Sequence, residues 1–278
     1  MFAHRKLIIA TMHGKESVIA PVVESALAVH CVTSTLFETD RFGTFSGEMK
    51  RSSDALETAR LKCHAAMDET GYDLAIASEG SFGPHPIYFF SQADDEILMF
   101  IDRKNGIEIW ARELSTSTNL NGQEISTWEQ LEQFAESVGF PAHGLILRES
   151  VQRFEYIQKG IRDKDLLRDC FHHLMSQHGQ AYVETDMRAM HNPTRMKVIE
   201  NATRKLVHKI LSACPSCSWP GFDVTEVKTG LPCASCGAPT QSTRSLVYSC
   251  LSCSFSREKL FPNDKETEEP RFCDFCNP

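Results

Sequence analysis

The chain has 278 residues, 41% hydrophobic and 24% charged. This composition supplies enough apolar material for a core and does not suit a disordered chain. A formal net charge of −8 argues against a broad cationic grip on nucleic acid and leaves room only for a local basic cleft. No run of eighteen apolar residues occurs, so neither a transmembrane helix nor a membrane partner is expected. The apolar stretch after His4, Arg5 and Lys6 is too short for a signal peptide. Eleven cysteines without an export signal then imply a reducing, cytoplasmic setting, where Cys-x-x-Cys pairs bind metal more often than they form disulfides.

Residues 1–209 alternate strand and helix signals. Lys6–Thr11 reads as a buried strand, Glu16–Ala28 as a helix and Cys31–Leu36 as a second strand. Asp40–Ser53 is polar and glycine-containing and reads as a long loop. Ala55–Thr70 has helical periodicity through Leu56, Ala59, Cys63 and Met67. Leu74–Ala77 reads as a strand closed by a turn over Glu79–Pro84. Asn105-Gly106 between Ile97–Ile101 and Ile107–Arg112 signals a hairpin. Helices are expected over Thr127–Val138 and Lys164–His178, and strands over Gly144–Leu147 and Ala181–Glu184. Asn192 before Pro193 marks the start of a helix running to about Leu211. The pattern predicts an α/β domain, a mixed sheet flanked by helices, over 1–209.

Composition changes at Cys214. Residues 210–278 are rich in Cys, Pro, Gly and Ser, with six Lys/Arg against eight Asp/Glu. Eight cysteines form four pairs, Cys214/Cys217, Cys233/Cys236, Cys250/Cys253 and Cys273/Cys276, separated by fifteen, thirteen and nineteen residues. Two residues between cysteines let a tight turn aim both thiolates at one ion, and two such knuckles complete a tetrahedral S₄ site. Gly237, just after the second pair, suits such a turn. The segment is therefore expected to be a small zinc-ribbon domain holding two structural Zn²⁺ ions. A closed S₄ site leaves no open position for catalysis, and metal binding supplies much of the folding energy of so short a segment. Sequential pairing of the knuckles and cross-braced pairing, first with third and second with fourth, both satisfy this spacing. Cys31, Cys63 and Cys170 have apolar neighbours and read as packing residues.

Four segments of the first domain carry residue types that phosphate chemistry needs. Thr11-Met12-His13-Gly14-Lys15 joins a strand to a helix N-terminus, where backbone N–H groups and a lysine favour phosphate oxygens. Glu57 and Lys62 lie on one predicted helix. Glu79 and Ser81 follow a buried strand, where open α/β sheets bind ligands and a carboxylate can hold Mg²⁺. Arg195 falls in the first turn of a helix, a place disfavoured for a cation unless it meets an anion.

In order, these segments resemble the inosine/xanthosine triphosphate pyrophosphatase-like superfamily. The likeness is carried by Glu57-Thr58-Ala59-Arg60-Leu61-Lys62-Cys63, by Ala77-Ser78-Glu79-Gly80-Ser81, by Ala10-Thr11 to Lys15 and by Pro193-Thr194-Arg195. It covers about residues 6–210. It departs from the family in a shorter first turn, in Ser78 beside a single Glu79, and in a late motif lacking its Ser and His. The resemblance implies that Glu57 and Glu79 hold a catalytic Mg²⁺, that Lys15 and Lys62 contact phosphates, and that Arg195 contacts the base or phosphate side. The implied reaction is attack of metal-activated water on a phosphoanhydride, with a nucleotide or other phosphorylated small molecule as substrate. The whole chain also resembles a bacterial family of unknown function that pairs such a domain with a ribbon ending in Cys276-Asn277-Pro278. The alternative expectation is a non-catalytic nucleotide sensor, or a ribbon that binds a protein partner; the acidic balance of the ribbon disfavours nucleic acid.

Overall fold

A computed structural model describes residues 1–33, 55–153 and 155–278. The polar loop expected over Asp40–Ser53, and the end of the strand expected over Cys31–Leu36, lie outside these residues. The described chain is a mixed α/β protein with three sheets and five α-helices. It forms two compact units, Met1–Val207 and His208–Pro278.

The first unit is built on a five-stranded sheet of order β2-β1-β3-β4-β5. Its strands are β1 (Lys6–Ala10), β2 (His30–Thr33), β3 (Leu74–Pro84), β4 (Gln92–Asp102) and β5 (Ile107–Ser115). β1 runs parallel to both β2 and β3, and β3-β4-β5 is an antiparallel meander. Helix α1 (Glu16–Leu27) carries the chain from β1 to β2, and α2 (Ala55–Thr70) precedes β3 on the other side of β1. Right-handed crossovers that run in opposite directions along the sheet, β1 to β2 and then β2 back to β3, put α1 and α2 on opposite faces. Strand alternation agrees. Ile8, Ala10, Ala75, Ala77, Met99 and Ile101 pack with Ala59, Cys63, Ala66 and Met67 of α2, while Leu7, Ile9, Leu74, Ile76, Leu98 and Phe100 are buried on the other face.

A second sheet is antiparallel, of order β6-β9-β7-β8, with β6 (Gly122–Ile125), β7 (Leu145–Arg148), β8 (Ile157–Ile161) and β9 (Ala181–Thr185). Helices α3 (Trp128–Ser137) and α4 (Lys164–His178) cover it through Leu131, Phe134, Leu167, Phe171 and Leu174. Local chemistry sets these helix ends. Thr127 and Gln130 form a capping box for α3. Asp163 caps the start of α4, and Gly179, at φ 70°, ends it. Helix α5 (Pro193–Leu211) opens with the Asn192 carboxamide oxygen accepting from the Arg195 N–H at 3.0 Å.

Four elements differ from the sequence-based expectation. β3 does not turn at Glu79; it runs on to Pro84 because β4 pairs with it residue for residue, from Leu74↔Asp102 to Pro84↔Gln92. An antiparallel partner satisfies the backbone of polar residues as well as apolar ones. β4 accordingly begins five residues before Ile97. β6 and β8, with the sequences GQEI and IQKGI, lie at the two edges of their sheet, where a strand needs little apolar alternation.

The second unit contains a three-stranded antiparallel sheet, β10 (Asp223–Thr229), β11 (Thr243–Ser249) and β12 (Ser256–Leu260). One of its apolar clusters is small: Cys214, Phe222 and Cys250, with Trp219 and Tyr248 packed against them.

Candidate functional site

β1 lies beside β3, and the chain leaves β1 toward β2 on one side and leaves β3 toward β4 on the other. The crevice at the carboxyl ends of β1 and β3 is thus a topological switch point, the place where open α/β sheets bind ligands. β1 ends at Ala10, opposite Ala77, while β3 continues. Ser78, Glu79 and Gly80 therefore border the turn that leads into α1. His13 (φ 68°) and Gly14 (φ 74°) are both left-handed in that turn. Lys15 caps α1 without a side-chain cap bond, and its amine instead donates to Ser78 Oγ at 3.0 Å, with Glu96 Oε2 at 3.8 Å.

Alternation divides the expected residues. Ser78 and Gly80 share one face with Lys15, Glu96 and Arg195. Glu79 and Ser81 share the other with α2, where Lys62 pairs with Glu79. Lys15, Lys62, Glu79 and Arg195 are all buried, and Ser81 is half-buried opposite Asp95. The sequence places these groups in one set; the structure makes it two half-sets meeting across the backbone at Ser78–Gly80. Glu57 lies on α2, as Lys62 does. It pairs with Arg60, one turn along α2, and Arg60 also donates to Glu108 on β5 at 2.8 Å. The Glu57 carboxylate expected to share a metal with Glu79 is thus engaged by Arg60, which Glu108 also binds.

The acids that do enter the crevice are Asp94 and Glu96, two residues apart on β4 and on the face of Ser78. Their signal in the sequence is the run Asp94-Asp95-Glu96 ahead of an apolar strand, whose first and third members must face the same way. Arg195 Nε donates to Glu96 Oε1 at 2.7 Å, its Nη1 donates to the Met187 carbonyl at 2.5 Å, and its guanidinium lies 4.8 Å from the centre of the Phe82 ring. The anion expected to justify a cation in the first turn of α5 is thus present within the protein. A Cβ on Gly80 would sit 2.5 Å from Arg195 Nη2, so the guanidinium requires glycine there.

Burial sets the protonation of this face. It pushes the Lys15 ammonium down to about 8, against the pull of Glu96. Burial, then the neighbouring Glu96, pushes the Asp94 carboxyl up to about 8. Burial alone would raise Glu96 too, but Arg195 and Lys15 hold it below the ordinary carboxylate range. Near neutral pH, two cations face one carboxylate and one carboxylic acid, an arrangement that favours an added anion.

In the second unit the cysteines form two groups: Cys214, Cys217, Cys250 and Cys253, and Cys233, Cys236, Cys273 and Cys276. The first pair joins the third and the second joins the fourth, so the arrangement is cross-braced. Sulfur–sulfur distances of 3.6 and 3.7 Å in one group, and 3.6 and 3.9 Å in the other, far exceed a disulfide bond of about 2.05 Å. They match the ~3.8 Å edge of a tetrahedron with 2.3 Å Zn–S bonds. The first three knuckles are built alike. N–H groups of Ser216, Ser235 and Ser252 donate to Cys214, Cys233 and Cys250 Sγ, each at 3.4 Å. Ser218, Gly237 and Ser254 follow their pairs at φ 61°, 74° and 58°. Backbone N–H groups of Cys236 and Ser235 pull the Cys233 thiol down to about 7, and that of Cys253 does the same for Cys250, while Cys217 and Cys276 in the same two groups are pushed up to about 12. Both groups are compatible with structural zinc sites. Among the described residues, none of Cys31, Cys63 and Cys170 belongs to such a group, and none of the α-helices is long and apolar enough to cross a membrane.

Fold and sites together define a two-unit α/β protein with paired Cys₄ centres of metal-binding geometry. Residues 62–278 match the family described as Domain of unknown function (DUF6671), and the chain belongs to that family. No curated protein matches it. Among solved structures, a similar chain is the lipoprotein GNA1162 of Neisseria meningitidis, with 12% identity over 48% of this chain and 94% of that one. Its TM-score of 0.19 carries no argument about fold or function.

Proposed function

We propose that the first unit is a Mg²⁺-dependent nucleotide pyrophosphatase or related phosphohydrolase of the inosine/xanthosine triphosphate pyrophosphatase-like kind, and that each Cys₄ group holds a structural Zn²⁺. The reading rests on one observation: Lys15, Lys62 and Arg195, from three different helices, flank the switch-point crevice between β1 and β3. Lys15 and Lys62 are the phosphate contacts, Ser81 is a further polar contact, and Arg195 orients the substrate through the face it shares with Phe82. The donor set for a hard cation fits at this end of the sheet. Glu79 is at hand on one face of β3, and the buried carboxyls of Asp94 and Glu96 share the other. Bound there, Mg²⁺ would supply charge neutralisation and an activated water. The residues' own part is to hold the polyphosphate in place and exclude bulk water.

The ion pairs support a second reading. Lys62 is matched by Glu79 and Arg195 by Glu96, so the resting site is stable without a metal, as suits a non-catalytic nucleotide sensor. The test is incubation with a panel of nucleoside triphosphates and Mg²⁺, scored for pyrophosphate release and for ligand-induced change in melting temperature. Turnover that Glu79→Gln abolishes supports the enzyme. Stabilisation without turnover supports the sensor. Neither effect with any nucleotide ends both readings.

A further inference from the structure

The second unit's overall balance, six Lys/Arg against eight Asp/Glu over 210–278, conceals a segregation by strand alternation. The ladder pairs Tyr248 with Val224 and Arg257, and Leu246 with Val227 and Lys259. The Phe261 N–H donates to the Arg244 carbonyl at 2.8 Å, which continues the same β11 row. Paired residues share a face, so one face carries Arg244, Arg257, Lys259, Tyr248, Leu246, Val224 and Val227, with no carboxylate at its strand positions. The opposite face takes Glu226 and Glu258. There Lys228 pairs with Glu258 at 3.4 Å and the Ser245 hydroxyl donates to Glu258.

The cationic face is accessible and has aromatic backing. Arg244, Arg257, Lys259 and Val227 are exposed and Tyr248 is half-buried. The Tyr248 ring stacks on Phe222 with centroids 5.9 Å apart, and the Arg257 guanidinium lies 5.9 Å from the centre of the Phe222 ring. A row of cations about two residues apart beside a held aromatic ring matches a flexible chain of phosphates with unstacked bases. An acidic peptide would use the charges and leave the ring idle.

We propose that this face of the β10–β11–β12 sheet binds single-stranded nucleic acid, with Arg244, Arg257 and Lys259 on phosphates and Tyr248 stacking on a base. The inference stands independently of any chemistry in the first unit. It is tested on the zinc-loaded full chain by fluorescence anisotropy with a labelled oligothymidine of about twelve nucleotides, within the site sizes of such surfaces. Saturable binding is expected at ~50 mM salt. Its affinity should fall with salt at a log–log slope near −2, at about −0.7 for each of three phosphates.

Arg257→Glu and Lys259→Glu should each weaken binding about tenfold or more and flatten the slope. Lys228→Glu makes the same charge change on the opposite face and should leave binding within about twofold. Tyr248→Leu should cost between about fivefold and about a hundredfold, the range of one lost base stack, with the salt slope unchanged. Zinc content near two per chain certifies that each variant is folded; Lys259, exposed and away from the knuckles, serves if Arg257→Glu loses metal. The proposal is overturned by absence of saturable binding at low salt, by equal loss from Lys228→Glu, or by polyglutamate displacing the oligonucleotide at equal charge concentration.

Discussion

Asp94 offers a quantitative test of the electrostatics at the switch-point crevice. Its side chain is almost wholly enclosed, and its carboxyl is pushed up to about 8 from an ordinary 3.8. Between those values the folded protein binds a proton that the unfolded chain releases, so stability falls as pH rises through that window. Each pH unit is worth ~1.36 kcal/mol for one proton, so the ionised group costs on the order of several kcal/mol by pH 8. Asn keeps the shape and hydrogen-bonding capacity of the neutral acid and removes the charge. Asp94→Asn is therefore expected to match the wild type only below about pH 4 and to exceed it increasingly from pH 5 towards pH 8. The assay is urea unfolding at four pH values between 5 and 8, in excess zinc, read as the difference between variant and wild type so that metal loading cancels. A difference that stays flat across the range would refute the argument, and so would a variant less stable than wild type at pH 8.

Other consequences are as direct. In Cys214→Ser/Cys250→Ser, both lost ligands belong to one group, so zinc content should fall from two to one per chain; sequential pairing would lower it to none. Lys15 loses its charge as pH rises through about 8, so the stabilisation conferred by inorganic pyrophosphate should shrink from pH 7 to pH 9 in thermal melts. Gly80→Ala should destabilise by about 1–3 kcal/mol in urea titrations, because the added methyl meets the buried Arg195 guanidinium and Glu96 carboxylate. Asp163→Ala should cost about 1 kcal/mol, since its carboxylate caps both Asp165 and Leu166 N–H groups at the start of α4.

Helix boundaries were the most legible features, because they are fixed by neighbouring residues. Asp163 and Gly179 bracket α4, Thr127 with Gln130 starts α3, and Asn192-Pro193 starts α5. Each signal acts within one turn, so sequence alone contains it. The far end of β3 was illegible for the opposite reason. Glu79–Pro84 has the composition of a turn, and only β4, returning alongside, makes it strand. The candidate crevice was half visible. Lys15, Lys62, Glu79 and Arg195 stood out by residue type and placement, whereas Asp94 and Glu96 required knowing that β4 starts early and that alternate residues share a face. That Arg60 joins Glu57 to Glu108 was not legible, because Glu108 is remote in sequence. The number of Cys₄ groups could be read from four Cys-x-x-Cys pairs. Their pairing could not, since identical knuckles are interchangeable until the chain between them is folded.

That interchangeability bears on how the second unit matures. Cys214 and Cys217 emerge from synthesis before Cys233 and Cys236, and their proper partners, Cys250 and Cys253, appear later still. The nearest thiolates available to an early-captured ion are therefore the wrong ones, and closing the shorter loop is entropically easier. A nascent chain that meets free zinc too soon should pass through a misloaded ribbon and escape it only by ligand exchange, so the rate of maturation should depend on how tightly the surroundings buffer the metal.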